Sequence, residues 1–288
     1  MIVRHFLVFI FFTSFLWADF VKTTFPLKAE PIDVVIPCAP KDVKTLGRCI
    51  QGIRQNGKDV RRIIVISQEK LTDEAEWFSE EAFPFSKEEV ALQLFHGDTN
   101  AAYNFIHNPQ TRIGWVFQQL LKLYAPFVIP DISSNVLILD ADVIFLRTTT
   151  FMTQKGDPYF TPSNEIYHAP YFTHAQRLLP DLHRVYPEHS GIAHHMLFQR
   201  PILEDLFTQI RTTHQMEPWK AICRAADPQD IQFSGLSEYE IYFNFTLLRS
   251  SQAVLRPLRW ILIPSLRYLP ACLHGGYTFV CCPSWLAA

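Results

Sequence analysis

Two short apolar segments joined by a helical pattern restrict what this chain can fold into. Residues Ile32–Pro37 have the sequence IDVVIP, and residues 63–67 have the sequence IIVIS. Near-continuous apolar runs of this length are typical of strands that are buried on both faces of a parallel sheet. Between them, apolar side chains share one face of a predicted helix, namely Leu46, Cys49, Ile50 and Ile53. A strand, a helix and a strand in this order predict a right-handed parallel unit, and therefore an α/β fold.

Composition narrows the classes of protein to consider. The chain has 288 residues, of which 48% are hydrophobic and 19% charged, which suits one globular α/β domain. Its net charge of −2 provides no basic field for a polyanion, so we expect no nucleic-acid partner. The ten glycines form no G-x-G pair, and Ile53 stands where a phosphate loop needs a lysine. A nucleotide would therefore bind by a route other than the Walker or dinucleotide motifs.

The first eighteen residues have the pattern of a targeting segment. Arg4 precedes the apolar run FLVFIFFTSFLW at residues 6–17, which is typical of a signal peptide and shorter than the roughly 20 residues of a spanning helix. A tilted membrane anchor is the alternative. We predict a signal peptide or anchor at 1–18, a linker at 19–30 and one domain at 31–288. The protein is then exported or anchored through residues 6–17, unless its domain faces the cytoplasm.

The segment VLILDADVIF at residues 136–145 places two carboxylates after an apolar run. We predict a central strand at 136–139, with Asp140 and Asp142 at its exit, where open α/β sheets bind ligands. Residues i and i+2 of a strand point to the same side, and two buried carboxylates are costly unless a partner compensates them. A hard divalent cation, Mn²⁺ or Mg²⁺, would do so and could also bind phosphate. The alternative is a pair of solvated acids in a loop.

Three segments follow one another along the chain: IDVVIPCAPKD near the start, the helical pattern GWVFQQLLKLYA at residues 114–125, and VLILDADVIFL just after it. Together they resemble nucleotide-diphospho-sugar transferases of the GT-A fold, which carry an Asp-x-Asp motif. The later segments SGIAHHMLF, SEYEIYFNF and HGGYTFV are similar to a group of largely uncharacterised bacterial glycosyltransferase-like proteins. The resemblance implies a Rossmann-like, mixed and mainly parallel sheet flanked by helices in a single domain.

The resemblance also implies a donor site. Pro37 and Cys38 would lie at the end of the first strand beside the nucleotide base. Lys122 would face the phosphates or ribose of a nucleoside-diphosphate sugar, with Gln118 near it. Asp140 would contact the ribose or a metal-bound water.

A metal site is implied in the same way. Asp142 would bind Mn²⁺ or Mg²⁺ directly, together with Asp140. His274, which precedes a glycine-rich turn, would complete the site. The segment that follows, Pro283-Ser284-Trp285, lacks the lysine that related proteins carry there.

The implied reaction is transfer of a sugar to a hydroxyl of a glycan, lipid or protein, with Lys122 assisting the leaving diphosphate. On the acceptor side we select Glu238 as the catalytic residue. Ser237 would cap a short helix and leave Glu238 in its first turn near the cleft. Glu238 would then act as a general base or bind a sugar hydroxyl. The alternative is a surface glutamate that stabilises a helix N-terminus.

Two other functions are compatible with the sequence. A haloacid-dehalogenase-like phosphatase also has an Asp-x-Asp motif, but on an early first strand rather than near residue 140. A GT-A protein that binds nucleotide sugar or glycan without transfer is the second. Adjacent residues of a strand point to opposite faces, so His194 and His195 cannot easily serve one ion. We interpret His195 as an acceptor-site residue and His194 as packed or exposed.

Overall fold

The computed structural model describes residues 20–164 and 167–286. Its strands are β1 (Ile32–Pro37), β2 (Val60–Ser67), β3 (Glu76–Ser79), β4 (Asn135–Leu139), β5 (Val143–Phe145), β6 (Tyr159–Phe160), β7 (His195–Gln199), β8 (Val254–Leu255), β9 (Trp260–Leu262) and β10 (Phe279–Cys281). Its α-helices are α1 (Val43–Asn56), α2 (Lys87–Leu94), α3 (Thr99–His107), α4 (Ile113–Val128), α5 (Ala169–Leu178), α6 (Arg200–His214), α7 (Pro218–Ala225), α8 (Glu238–Arg249) and α9 (Leu269–His274). Short 3-10 turns lie at Pro40–Asp42, Glu80–Ala82 and Leu266–Tyr268.

A five-stranded sheet in the order β3-β2-β1-β4-β7 forms the centre of the protein. Its first four strands are parallel, and β7 runs antiparallel to β4. A second sheet places β10 between β5 and β9, and β6 pairs with β8. The predicted fold class is confirmed: the protein is a single α/β domain with a mixed, mainly parallel sheet flanked by helices.

The apolar runs are strands because both faces of the sheet are covered. Val35 packs in a hydrophobic cluster with side chains of α4, whereas Val34 and Ile36 pack in a second cluster with side chains of α1. Gly52 lets α1 lie close to β5, since a Cβ atom there would meet the backbone of Phe145 at 2.9 Å. This contact fixes the segment that follows the two aspartates.

The acidic stretch at residues 71–90 contains strand β3, a 3-10 turn and the start of helix α2. Strand β3 occupies its middle as the edge strand beside β2. Helix α2 begins only at Lys87, where Ser86 and Glu89 form a capping box. Pairing with a neighbouring strand here overrides local helix preference, which is weak compared with tertiary contacts.

The N-terminal predictions have different outcomes. Residues 1–18 lie outside the described residues, so a signal peptide or anchor there stays a prediction. Residues 20–30, which the sequence assigned to a linker, lie against the domain: Phe25 is buried, and Asn135 donates to the carbonyls of Lys28 and Glu30. Within residues 20–164 and 167–286, no helix has both the length and the apolar character needed to cross a membrane.

Candidate metal centre

Asp140 and Asp142 lie in a tight turn between β4 and β5. The amide of Asp140 donates to the carbonyl of His194 at 3.0 Å, and the amide of Val143 donates back to Asp140 at 3.1 Å. The carbonyl of Asp142 accepts from the amide of Cys282 at 2.9 Å, next to β10. The two side chains therefore converge because the chain turns here, and not because they share one face of a strand.

His194 joins the two aspartates. Ligand atoms of Asp140, Asp142 and His194 lie within 4.8 Å of one another. Strand β7 brings His194 to the turn, because Leu139 pairs with His195 and leaves His194 opposite Asp140. His194 has a φ of 59°, a left-handed conformation that costs a non-glycine residue about 1–3 kcal/mol. Across the described residues, no other group of three such side chains meets in this way.

The carboxylate of Asp140 is fully engaged by the protein. Its Oδ1 accepts from Lys122 Nζ at 2.5 Å and from the Tyr239 hydroxyl at 3.3 Å, and its Oδ2 lies 3.2 Å from His194 Nδ1. Burial alone would raise the pKa of Asp140, but the charge of Lys122 and the hydrogen bond with His194 outweigh it. The pKa of Asp140 is therefore held well below its usual range, and the side chain is ionised.

Asp142 has the opposite environment. Its Oδ1 is buried without any hydrogen-bond partner. Burial, and then the neighbouring charge of Asp140, raise the pKa of Asp142 to about 6. A buried carboxylate oxygen without a partner is costly. Two carboxylates and an imidazole are ligands that divalent cations accept, and the nitrogen suits Mn²⁺ better than Mg²⁺. The donor set therefore fits a divalent cation.

Lys122 is buried between two acids. Its Nζ lies 2.8 Å from Glu238 Oε1, besides its bond to Asp140, and 4.5 Å from the centre of the Tyr239 ring. Burial alone would lower the pKa of Lys122, but the two carboxylates raise it above its usual value. Lys122 thus stays charged, and its charge is used within the protein to hold Asp140 in place.

Two adjoining cavities form one cleft over this centre. The first, of about 300 Å³, lies at the carboxyl end of β1 and is lined by Pro37, Cys38 and Gln118. The second, of about 380 Å³, is lined by Asp142, His194 and the other members of the centre. The two cavities share a wall that consists of Lys41, Asp42, Arg112, Trp115 and Gln118. A ligand that fills both would extend from the end of β1 to the metal-binding residues.

Most residues named from the sequence lie in this cleft. Those in the first cavity are Pro37 and Cys38, those in the second are Lys122, Asp140, Asp142 and Glu238, and Gln118 lines both. Gln118 also donates to the carbonyl of Pro37 at 3.3 Å. Burial raises the pKa of the Cys38 thiol to about 12, so Cys38 contributes an uncharged surface.

The structure does not bring His274 to the aspartates. His274 ends α9 with an exposed side chain. The histidine beside the two aspartates is His194, so the prediction that His274 completes the site is wrong. His195 points the other way: it begins β7, whereas His194 lies before the strand in a left-handed conformation. It packs against the rings of Phe145 and Phe279, and burial lowers its pKa to about 4. His195 is a core residue, so the interpretation of the two histidines is reversed.

Glu238 occupies the first turn of α8, as predicted. The Ser237 hydroxyl caps this helix by accepting from the amide of Glu240 at 3.3 Å. The Glu238 side chain is 1% exposed and bonded to Lys122, which differs from the alternative of a surface glutamate. Glu240 points elsewhere and accepts from the Ser190 hydroxyl at 2.5 Å.

Arg112 is a cleft residue that sequence reasoning missed. It precedes α4 and lines both cavities, with its guanidinium 4.9 Å from the centre of the Trp115 ring. Its Nε is buried without a hydrogen-bond partner, and burial lowers its pKa. A charged residue directly before a strong helix pattern was the available signal, since helix N-termini attract anions.

Comparisons with known proteins identify the family. A family model described as "Family of unknown function (DUF6492)" matches residues 15–257. The chain belongs to this family. Strands β9 and β10 and the cleft residues after them lie beyond the matched part. The search of curated proteins found no match to this chain.

One similar solved structure is the crystal structure of mouse xyloside xylosyltransferase 1 in its apo form. It is 8% identical in sequence, with a TM-score of 0.42, and the match covers 87% of this chain and 96% of that chain. A likeness this distant carries no argument about activity. What the centre does must come from its own residues.

Proposed function

We propose that this protein is a metal-dependent glycosyltransferase, which moves a sugar from a nucleoside-diphosphate sugar to a hydroxyl acceptor. The observation that carries the proposal is the centre of Asp140, Asp142 and His194 at the carboxyl edge of the sheet, with one carboxylate oxygen buried and unpartnered. Such an edge is where open α/β sheets bind ligands. Asp140, Asp142 and His194 would hold Mn²⁺ or Mg²⁺, and a cation there supplies charge stabilisation for a leaving diphosphate.

The two cavities suit the two ends of such a donor. The first offers the face of Trp115 and the uncharged Cys38 to a nucleoside, with the backbone of Pro37 beside it. The shared wall offers Lys41 and Arg112 to a diphosphate, and Arg112 has an unused buried donor. A guanidinium is well suited to phosphate oxygens. The donor would therefore lie along the cleft, from the end of β1 to the metal-binding residues.

Lys122 and Glu238 would serve the reacting end. We assign Lys122 electrostatic assistance, chiefly by keeping Asp140 ionised and fixed. Glu238 lines the cavity, and burial raises its pKa, although the charge of Lys122 opposes that rise. A carboxylate with a raised pKa is suited to accept a proton from a hydroxyl. We keep it as the catalytic residue of the proposal.

The geometry separates this function from a phosphatase of the haloacid-dehalogenase kind. That reaction needs the aspartate at the end of the strand, here Asp140, to have an oxygen free to attack phosphorus. Both oxygens of Asp140 already accept hydrogen bonds, from Lys122 and Tyr239 on one side and from His194 on the other. Asp140 is therefore arranged as a fixed ligand.

The first experiment measures donor binding. UDP, GDP and ADP are titrated into the full chain by calorimetry with Mn²⁺, with Mg²⁺ and with EDTA. We expect one nucleoside diphosphate to bind with a divalent cation and to lose most of its affinity in EDTA. Binding that ignores the cation, or no binding at all, would overturn the proposal.

The second experiment measures transfer with the matching nucleotide sugars. Glu238→Gln should lower the rate of transfer or donor hydrolysis by about 10²-fold or more and leave nucleotide affinity unchanged. Glu240→Gln, the same change two residues along the chain, is the control and should retain the rate. Metal-dependent binding without any turnover would instead identify a protein that binds nucleotide sugar and transfers nothing.

We also propose that the chain is exported or membrane-anchored through residues 6–17, on the pattern of its first eighteen residues. Fractionation of cells that express the full chain and a chain without residues 1–18 tests this. Identical distribution of the two would overturn it.

A further inference from the structure

Besides Tyr239, which belongs to the candidate metal centre, two aromatic side chains line the second cavity but not the first. They are Tyr171 on α5 and Trp285 near the C-terminus. Trp115, by contrast, lines both cavities and is assigned to the donor. The metal cavity therefore has aromatic lining residues that the nucleoside cavity does not share.

Trp285 is held at the mouth of this cavity. The Ser284 hydroxyl donates to Asp42 Oδ1 at 2.9 Å, on the shared wall of the cleft. Two residues earlier, the amide of Cys282 bonds to the carbonyl of Asp142. These contacts attach the segment to the metal-binding turn and to the donor wall, while the indole itself stays 71% exposed. The residues directly before Trp285 are therefore anchored, and Trp285 itself lines the metal cavity.

Tyr171 is placed from the opposite part of the chain. Its amide donates to the carbonyl of His168 at 3.1 Å, and the His168 ring lies 2.8 Å from the carbonyl of Ser234. Ser234 lines the same cavity, so α5 and the loop before α8 present Tyr171 and a hydroxyl together. The metal cavity thus combines aromatic side chains with short polar groups.

This combination matches the chemistry of a sugar ring. A pyranose presents C–H groups on a face, which pack on aromatic rings, and hydroxyls at its edge, which need hydrogen-bond partners. Ser234, Ser237 and Glu238 supply such partners within the cavity. We propose that Trp285 and Tyr171 form the acceptor subsite and that the acceptor is a glycan, which they hold through one of its sugar rings. This inference rests on the proposed function and names the acceptor class that the function leaves open.

The position of Trp285 in the chain adds a second consequence. It lies beyond residues 15–257, the part that matches the family model. The acceptor wall is therefore built partly from a segment that the shared family pattern does not include.

The test uses the full chain with Mn²⁺ and the nucleoside diphosphate that binds it. Short oligosaccharides of glucose, galactose, xylose and N-acetylglucosamine are screened by saturation-transfer NMR, beside a serine-containing peptide and a detergent-solubilised lipid alcohol. We expect at least one oligosaccharide to receive saturation, strongest at the protons on one face of a ring. The binding of the same oligosaccharide is then measured free and attached to a lipid, which shows whether the acceptor is a free or a lipid-linked glycan.

Two variants decide the role of the tryptophan. Trp285→Ala should weaken oligosaccharide binding at least about fivefold, and Trp285→Phe, which keeps an aromatic face, should restore most of it. Trp77→Ala, which removes a half-exposed tryptophan from β3 outside the cleft, should change nothing. Metal-dependent nucleotide affinity should be the same in all variants, which separates this test from that of the proposed function.

Two results would overturn the inference while leaving the proposed function intact. One is that no oligosaccharide binds to a protein that still binds its nucleotide with Mn²⁺. The other is that the peptide or the lipid alcohol binds in a way that depends on Trp285, since the acceptor would then belong to another class.

Discussion

Two aspartates at opposite ends of the central strands have opposite environments, and the amino and carboxyl ends of the strands are called the two edges of the sheet here. At the amino edge, Asp33 is fully buried in β1, and both its oxygens are satisfied: Arg61 binds it with two nitrogens, at 2.9 and 2.5 Å, and the amide of Ser133 donates at 2.8 Å. At the carboxyl edge, Asp142 has a buried oxygen with no partner and a raised pKa. One carboxylate is compensated within the chain, and the other is not.

The difference shows how a structural acid can be told from a functional one. Removing a partner of a compensated buried charge is destabilising, because the other charge is left alone. Removing an uncompensated buried charge should stabilise the folded protein, because the desolvation penalty of that charge is lost. Loss of the carboxylate should therefore destabilise the protein at Asp33 and, without metal, stabilise it at Asp142. Four predictions use this contrast.

The largest effect is expected at the amino edge. Asp33→Ala should lower the free energy of unfolding by about 3 kcal/mol, since it leaves the buried Ser133 amide without its acceptor and removes the charge-assisted bonds to the half-exposed Arg61. Urea unfolding followed by circular dichroism measures the change. Metal-dependent nucleotide affinity of the folded fraction should be retained. A loss below about 1 kcal/mol would mean that solvent already replaces this ion pair.

At the carboxyl edge, Asp142→Asn should remove most of the Mn²⁺-dependent nucleotide affinity. We expect a loss of about 100-fold or more, because a direct ligand matters at least as much as the groups that support one. Calorimetric titration with and without EDTA measures it. Asp131→Asn, at an exposed residue between α4 and β4, is the matched control. Mn²⁺-supported binding that is unchanged in Asp142→Asn contradicts the metal centre.

The two candidate histidines allow a sharper comparison. His194→Ala should weaken Mn²⁺-dependent nucleotide binding by about 10–100-fold, whereas His274→Ala should leave it unchanged. The structure gives the reason, since His194 lies with the aspartates and His274 is exposed at the end of α9. If His274→Ala weakened binding and His194→Ala did not, the arrangement around the turn would have to be revised.

The smallest effect concerns stability without metal. Folding raises the pKa of Asp142 from 3.8 to about 6, so the folded protein holds this proton more tightly than the unfolded chain. The resulting stability is complete below about pH 4 and is lost as the pH rises through about 6. In EDTA at pH 7.5, Asp142→Asn should therefore be more stable than the wild type by about 1–3 kcal/mol.

Calorimetric melting checks this prediction at several pH values. The advantage of Asp142→Asn should shrink as the pH falls from 7.5 to 4.5, because the wild-type carboxylate then becomes neutral as well. Mn²⁺ should raise the Tm of the wild type more than that of the variant. A variant that melts below the wild type in EDTA at pH 7.5 would show that Asp142 is compensated after all.

Local sequence patterns were sufficient to predict the sheet and its binding edge. The apolar run of β1, the amphipathic face of α1 and the strand before Asp140 each form within a few residues, so periodicity alone predicts them. The acid inside the run IDVVIP was also visible, and a lone buried aspartate implies a partner. Its partner, Arg61, could not be named without the parallel register of β1 and β2.

The parts of the site that sequence reasoning missed depend on distant pairing. His194 reaches the turn only because β7 pairs antiparallel with β4, which no local pattern indicates. Trp285 reaches it because β10 pairs with β5 and carries the following residues along. His194 and His195 do point apart, but His194 lies before β7 in a left-handed conformation, so the rule for neighbours within a strand is not the reason. Which of the two faced the site required the identity of the partner strand.

The bond between Cys282 and the turn has a consequence for the order in which the chain is made. The central sheet has all its strands once Gln199 has left the ribosome, but the turn that carries Asp142 gains its brace only when β10 and Cys282 have been added. At about 5–20 residues per second, on the order of ten seconds separate the synthesis of the turn from that of its brace. A nascent chain therefore has its framework before this bond can form, and a chain stopped at the end of α8 would lack the bond between Asp142 and Cys282.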